Sequence, residues 1–283
     1  MTAVSRDLAG PELELGMAEF KRIASVVHKH AGIVLADSKR SLVRSRLTRR
    51  VHKLGLKNFD HYCHLIEGKD GGPEMEELIL AITTNVTSFF REKHHFEYLQ
   101  EQILPGLVAR VRSGGRVRIW SSACSSGEEP YSIALTVLAA CPEAAEYDFR
   151  ILATDIDKNV LAQAELALYS AQVAGSVPKP LAQKYLVDSA ATGQVRVADE
   201  ARALITFKQL NLLKPWPLKG QFDVIFCRNV VIYFDRPTQE TLWGRFADVM
   251  APEGHIMIGH SERISGPMEK RMRQVGITTY CLQ

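Results

Sequence analysis

From Arg116 onward the chain alternates short β-branched and aromatic runs with longer apolar helical patterns. In order they are "RVRIW", a helix from Pro130, "FRILATD", the helical "NVLAQAELALYS", "LITFKQLNL", "FDVIFCRN", a helix from about Thr238 to Met250, and "HIMIGH". Parallel neighbours in a sheet need a crossover of a dozen or more residues, most often a helix. The alternation therefore predicts an α/β fold, a mainly parallel sheet with helices on both faces. The last pieces, "RMRQVG" and "TTYCLQ", suit an antiparallel edge on that sheet. One region breaks the rhythm. After "GSVPKP", the strand patterns "QVRV" and "ALITF" predict an antiparallel hairpin inserted over about residues 171–208, a placement that serves recognition more often than the core.

Before the alternation the patterns are helical only. Phe20, Ile23, Ala24 and Val27 share one face of a helix stopped by Gly32, and Val43, Leu47, Val51 and Leu54 share one face of another stopped by Gly55. "NFDHYCHLIEG" and "PEMEELILAITT" add two shorter helices. A small all-α domain is expected over residues 1–84, followed by the α/β domain over 85–283. "NVTSFFRE" forms the junction, and a helical run containing Pro105 extends from about Glu92 to Arg112.

Bulk properties exclude several classes. With 283 residues, 46% hydrophobic and 24% charged, the composition is that of a soluble globular chain of one or two domains. The longest apolar stretch, Ile133 to Cys141, is broken by Thr136 and is too short to span a bilayer. The start, "MTAVSRDLAGPELELG", lacks an apolar signal core. Five scattered cysteines without a C-x-x-C pair argue against a disulfide framework or zinc site and fit a reducing cytoplasm. "HYCH" and "HH" have no matching second pair, so no metal is expected. Net charge is only +3, yet Ser38 to Asn58 carries Lys39, Arg40, Arg44, Arg46, Arg49, Arg50, Lys53 and Lys57 with no acidic residue. Such a helix is a solvated face, or it meets nucleic acid, a membrane surface or an acidic protein. No aromatics interleave the cations, which weakens a single-strand nucleic-acid role.

In a doubly wound sheet ligands bind outside the carboxyl ends of the strands. Here those ends read "SSACSSGEEP", Asp155 in "ATDID", Asn211 in "QLNLL", and Arg228, Asn229 and Tyr233 in "CRNVVIYF". A carboxylate at the second tip suits two ribose hydroxyls; capping of the next helix by Asp155 or Asp157 is the alternative. The first turn carries one glycine, four serines and two glutamates. A glycine-rich turn opening a helix usually receives a phosphate, which Glu128 and Glu129 would repel. S-adenosylmethionine is the nucleoside cofactor without a phosphate, and it carries a sulfonium and an ammonium group. The serines and Ala123 permit close approach, and one of the two glutamates would meet the ligand, unless both only favour the helix dipole.

Together "TTNVTSFFR", "SSACSSGEEPYS", "LATDID", "NLL" and "FCRNVVIYF" resemble, in order and over nearly the whole chain, the CheR family of chemotaxis receptor methyltransferases. The resemblance implies a cytoplasmic protein-glutamate O-methyltransferase with an all-α N-terminal domain. A Rossmann-like S-adenosylmethionine domain with an inserted antiparallel β-subdomain would follow. It would convert glutamates on the cytoplasmic helical domain of chemoreceptors to methyl esters, releasing S-adenosylhomocysteine, in adaptation of bacterial chemotaxis. It implies no nucleic-acid partner and no membrane insertion. By position, Asn85, Thr87, Arg91, Glu128, Asp155, Asn211, Leu212, Asn229 and Val230 would bind cofactor. Arg91 and Tyr233 would stand near the methyl-transfer centre; packing is the alternative for Tyr233, within an apolar run. Arg44, Arg46, Arg49, Arg50 and Lys53 would meet a glutamate-rich receptor. The rivals are a methyltransferase for another acceptor and a non-catalytic receptor-binding module. The absence of a D/N-P-P turn in "RNVVIY" speaks against amino-group methylation, and the intact polar strand ends speak against a dead binding site.

Overall fold

Phe20, Ile23, Val27 and Ala31 line the buried face of α1 (Met17–Ala31), at the spacing of an amphipathic helix. Gly32 ends it in the left-handed region, with φ 60° and an N–H donated to the His28 carbonyl, as a C-terminal glycine does. The computed structural model describes residues 13–68, 71–189 and 193–283, so most of the stretch read for a signal core falls outside the described residues. α2 (Arg40–Lys53) buries Val43, Leu47 and Val51. α3 (Phe59–Glu67) is capped by the Asn58 side chain, and α4 (Gly72–Ile82) buries Met75, Leu78 and Ile79. α1 packs on the other three helices. They form the first of two units, which ends at Thr84 and includes Tyr233–Asp235. In that unit the Val34 N–H donates to the Tyr233 carbonyl at 2.8 Å, and His28 Nε2 lies 2.8 Å from Asp235 Oδ2.

Two cations of α2 belong to this unit's interior, a correction to the expected receptor face. Arg50 donates from Nε to Glu74 Oε1 at 2.7 Å and from Nη1 to Glu77 Oε2 at 2.8 Å. The Tyr62 hydroxyl completes the buried Glu74 carboxylate at 2.9 Å. Arg46 donates to the carbonyls of Ile82 and Thr83 and to Thr84 Oγ1. It closes the C-terminus of α4, where carbonyls lack intrahelical partners. Arg49 and Lys53 are exposed, and Arg44 is half-buried.

The second unit comprises Asn85–Ile232 and Arg236–Gln283. It opens with α5 (His94–Tyr98) and α6 (Leu104–Arg112). Between them Leu99–Ile103 forms a π-turn. Pro105 has no N–H and its ring crowds the preceding turn, and the wider turn absorbs both effects. Next come β1 (Val117–Ser121), α7 (Glu128–Ala140), β2 (Phe149–Asp155), α8 (Lys158–Leu166), β3 (Leu168–Ser170), α9 (Ala171–Ala174), α10 (Lys179–Tyr185) and β4 (Leu186–Asp188). Then follow β5 (Gln194–Val197), α11 (Asp199–Ala203), β6 (Ile205–Gln209), β7 (Phe222–Cys227), α12 (Arg236–Val249), β8 (Met250–Ile258), β9 (Met272–Gly276) and β10 (Thr279–Leu282).

Seven strands form one sheet in the order β6-β2-β1-β7-β8-β10-β9. The first five are mutually parallel, and β10 and β9 close an antiparallel edge, as the C-terminal patterns predict. Every residue of α7 from Glu128 to Leu138 is buried, so this helix is a core element, not an amphipathic cover. Trp120 of β1 packs edge-on against Trp216 and tilted against Phe222 and Phe246, at centroid distances of 4.9, 5.2 and 5.3 Å. No helix among the described residues is long and apolar enough to cross a membrane.

The inserted region departs from expectation. "QVRV" does not pair with "ALITF". β5 sits between β3 and β4 in a separate three-stranded antiparallel sheet, and β6 pairs in parallel with β2. The small sheet thus spans Leu168 to Val197 instead of 171–208. The expected helix over "NVLAQAELALYS" stops early for the same reason. Ala167 turns left-handed at φ 56°, and Leu168–Ser170 pairs with β5. Tyr169 packs edge-on against Phe89 at 4.8 Å and donates its hydroxyl to the Ser126 carbonyl at 2.7 Å. Those distant partners outweigh local helix propensity.

His95 is fully buried, with Nε2 2.8 Å from Thr278 Oγ1. Burial first, and then the Arg228 charge, lower its pKa from 6.5 to about 3. The unfolded chain therefore takes up a proton below 6.5 that the folded protein refuses until about 3. Stability should fall by about 1.4 kcal/mol per pH unit across that window from this residue alone. Urea midpoints measured from pH 7 to pH 4 should fall less steeply in His95→Gln than in the parent.

Candidate active site at the strand ends

The β1–α7 turn is built almost wholly from its own polar groups. The Ser122 N–H reaches the Phe226 carbonyl at 2.9 Å, and the Cys124 N–H reaches that of Thr154 at 2.9 Å. The turn is thereby tied to β7 and β2, on either side of β1. Ser125 and Gly127 both lie in the left-handed region, at φ 48° and 98°. At Gly127 a Cβ would stand 2.8 Å from Ala164 Cβ and 2.8 Å from Tyr169 Oη, so both backbone sign and close packing require glycine. The four serine hydroxyls all act within the protein. Ser121 donates to Glu129 Oε1, Ser122 to the Phe226 carbonyl, Ser125 to the Asn85 carbonyl, and Ser126 to Glu128 Oε2.

The two glutamates of "GEEP" have different neighbours. Glu129 accepts from Ser121 at 2.7 Å and pairs with Arg228 Nη1 at 2.8 Å. Glu128 is held by the Ser126 hydroxyl at 2.7 Å and has no cationic partner among the described residues. Burial pushes the Glu128 carboxyl above its ordinary pKa. A cation brought beside it would be stabilised and would draw that pKa back down.

At the second tip the capping alternative belongs to Asp157, whose Oδ1 accepts from the Asn159 N–H at 2.8 Å. Its Oδ2 accepts from Asn85 Nδ2 at 2.9 Å. Asp155 instead accepts backbone N–H groups, Oδ2 from Ser125 at 2.8 Å and Oδ1 from Asp157 at 3.0 Å. Burial raises its pKa, and these two bonds oppose the rise. Each carboxylate oxygen keeps further lone-pair capacity. Asn211 uses its Oδ1 on the Leu213 N–H at 2.8 Å. The Leu212 side chain is buried, and its carbonyl takes Trp216 Nε1 and Arg245 Nη1. Ala123 and Thr87 are half-buried.

At the fourth tip Asn229 is left-handed, φ 57°. A residue that sequence reasoning missed fixes it. Glu262 accepts the N–H groups of Asn229, Val230, Val231 and Gly259 at 3.0, 2.9, 2.9 and 2.6 Å. Gly259 leaves no room for a Cβ, which would lie 2.8 Å from the Asn229 nitrogen. No signal in the string "GHSER" marks Glu262, because three of its four partners come from another strand end. Glu92 was also missed, although it directly follows Arg91 in "SFFRE". The Arg91 guanidinium donates to the Val86 carbonyl at 2.9 Å and has no carboxylate partner among the described residues. Tyr233 belongs to the first unit, where its hydroxyl lies 3.5 Å from the Thr84 carbonyl. It is not among the residues that the second unit gathers at its strand ends. One group among the described residues has metal-ligand spacing, Glu92, His94 and His95. Its carboxylate is already paired with Arg228 at 3.1 Å and His260 at 2.8 Å.

The resulting site is rich in carboxylate. Residues 121–129 include no lysine or arginine, and the neighbouring Arg228 is 2% exposed and neutralised by Glu129 and Glu92. A phosphate would meet Glu128 with no compensating cation, whereas a cationic nucleoside would meet a carboxylate without a counter-charge. The donor set therefore fits S-adenosylmethionine.

Two family profiles divide the chain between them. That of the "CheR methyltransferase, all-alpha domain" matches residues 18–83, and that of the "CheR methyltransferase, SAM binding domain" matches 85–281. The chain is 49% identical over 257 residues to a probable chemotaxis protein methyltransferase of Rhizobium etli, covering 90% of this chain and 96% of that one. It is 42% identical to the chemotaxis protein methyltransferase of Escherichia coli, over 95% and 92% of the two chains. Its identity to that of Salmonella typhimurium is 41%, with the same coverage. A helical unit joined to a sheet whose acidic strand ends suit a phosphate-free cationic cofactor, matched over both parts, makes this chain a member of the CheR family of S-adenosylmethionine-binding methyltransferases.

Proposed function

We propose that this protein is a cytoplasmic protein-glutamate O-methyltransferase acting on the helical cytoplasmic domain of chemoreceptors in chemotaxis adaptation. The observation that carries the chemistry is the Glu128 carboxylate at the first strand end, which is held by the Ser126 hydroxyl and has no cationic partner among the described residues. S-adenosylmethionine, when bound, supplies a methyl group made electrophilic by its sulfonium, and the overall change yields a glutamyl methyl ester and S-adenosylhomocysteine. The protein's own residues bind, orient and exclude water. A substrate glutamate, with a pKa of about 4.3, is already ionised at neutral pH. It needs no general base, which accords with the lack of a catalytic His or Cys pair at these strand ends. Approximation and orientation are the effects left for the enzyme to supply.

Within this reading Glu128 faces the cationic portion of the cofactor, and Asp155 accepts its ribose hydroxyls through unused lone pairs. Asn85, Thr87, Ala123, Asn211, Leu212, Asn229 and Val230 frame the nucleoside. Arg91 aligns the reactants. Glu129 serves the fold, through Ser121 and Arg228. On the helical unit, Arg49 and Lys53 are the exposed members of the basic set, with Arg44 beside them, and they would steer a glutamate-rich partner.

The deciding experiment incubates the protein with methyl-labelled S-adenosylmethionine and membranes carrying chemoreceptors. Base-labile label on receptor glutamates is expected; cofactor binding without any such ester on a panel of receptors would overturn the proposal. Glu128→Gln should weaken S-adenosylhomocysteine binding about 10-fold, a loss of about 1.4 kcal/mol, by calorimetry. Glu129→Gln should instead lower the melting temperature. Replacing Arg49 and Lys53 with glutamate should flatten the salt dependence of receptor methylation at unchanged stability. Arg50→Ala should cost about 3 kcal/mol of stability by leaving the buried Glu74 unpaired, read from urea unfolding.

A further inference from the structure

Arg228 is the most deeply buried cation of the second unit's strand ends, and neither cofactor binding nor substrate approach accounts for it. Its side chain is 2% exposed. Nη1 donates to Glu129 Oε2 at 2.8 Å, Nη2 lies 3.1 Å from Glu92 Oε2, and Nη2 also donates to the Arg91 carbonyl. The guanidinium carbon stands 5.8 Å from the centre of the Phe96 ring. A guanidinium offers its donors in a planar fork that an ammonium lacks. Here the fork spans three acceptors on two segments, the first turn of α7 and residues 91–92.

The gripped segment is held in an uncommon shape. Phe90 and Glu92 flank Arg91 with φ of 53° and 57°, a region costly for residues with a Cβ unless surroundings enforce it. The enforcement is visible on both sides. The Phe90 N–H donates to Ser132 Oγ at 2.9 Å. Glu92 is gripped by Arg228, by His260 Nδ1 at 2.8 Å and by the His260 N–H at 3.2 Å. Asn229 Nδ2 lies 3.4 Å from the same carboxylate. Among the described residues the Arg91 side chain, by contrast, is tied only to the Val86 carbonyl. Its position is therefore set by its backbone, and its backbone is set by Arg228 and Glu92.

We infer that Arg228 is a positioning residue: its fork, anchored on Glu129, holds Glu92 and the Arg91 carbonyl and so fixes where Arg91 and the 85–92 segment stand at the strand ends. The inference rests on the methyltransferase reading for its kinetic consequence, but the grip itself is a property of the fold. It also joins two parts of the site remote in sequence, "NVTSFFRE" and "GEEP", through a residue belonging to neither.

The test uses the full chain as Glu92→Gln and as Arg228→Lys. Glu92→Gln preserves size and removes the ionic half of the grip. Arg228→Lys preserves charge and removes the fork. Hydrogen–deuterium exchange should show the amides of residues 86–92 exchanging about 10-fold faster in both variants, over and above the general rise through the sheet that weakening a buried ion pair brings. Turnover should fall about 10- to 100-fold, as misplacement of a reacting group does, with the KM for receptor unchanged. Unchanged protection of residues 86–92 would overturn the inference. So would restoration of both protection and turnover by lysine, which would make Arg228 a point charge only. Exchange rising equally throughout the sheet and residues 86–92 in both variants would overturn it too, reducing the network to general stability. If receptor methylation is absent from the parent itself, the proposed function fails, and the exchange data still decide the grip.

Discussion

A guanidinium can be buried only where its donors and its charge are both satisfied, because stripping it of water otherwise costs several kcal/mol. Arg228 meets that condition with Glu129, Glu92 and the Arg91 carbonyl. The requirement ties the turn after β1, the tip of β7 and the segment ahead of α5 into one arrangement. Glu262 does comparable work at the next tip by collecting four backbone N–H groups. The two centres, one guanidinium and one carboxylate, each draw their partners from segments far apart in the chain.

This division of labour explains why an acidic turn can serve a ligand at all. Of two adjacent glutamates, Glu129 is neutralised inside the protein, and Glu128 is left with a hydroxyl for company. A carboxylate so placed is raised in pKa by burial and gains most from an incoming cation. The serines that first suggest ligand contacts are consumed in holding the turn. Their small size matters for packing, and their hydroxyls matter for tying strands together.

Legibility from sequence differed by the range of the forces involved. The α/β alternation, the helical first part and the antiparallel C-terminal edge follow from local apolar periodicity, and all three are present. Asp155, Asn211 and Asn229 could be placed at strand ends because the ends of parallel strands share one side. The errors lay where partners are distant. Leu168–Ser170 reads as helix until β5 is available to pair with it, and Ile205–Gln209 reads as half a hairpin until β2 claims it. Arg46 and Arg50 look like part of a solvent-facing cationic stripe, yet the α4 terminus and Glu74 take them.

The chain by itself determined the order and type of its main elements, the carboxylate character of its strand ends and the class of cofactor that such a turn tolerates. Those properties reside in residue type and short-range spacing. Tertiary structure alone decided which glutamate of "GEEP" is neutralised, which aspartate caps α8, and which buried groups carry the segment around Arg91. Each of these depends on a charge or an N–H delivered from a remote segment. A sequence can announce that charge without showing where the fold will bring it.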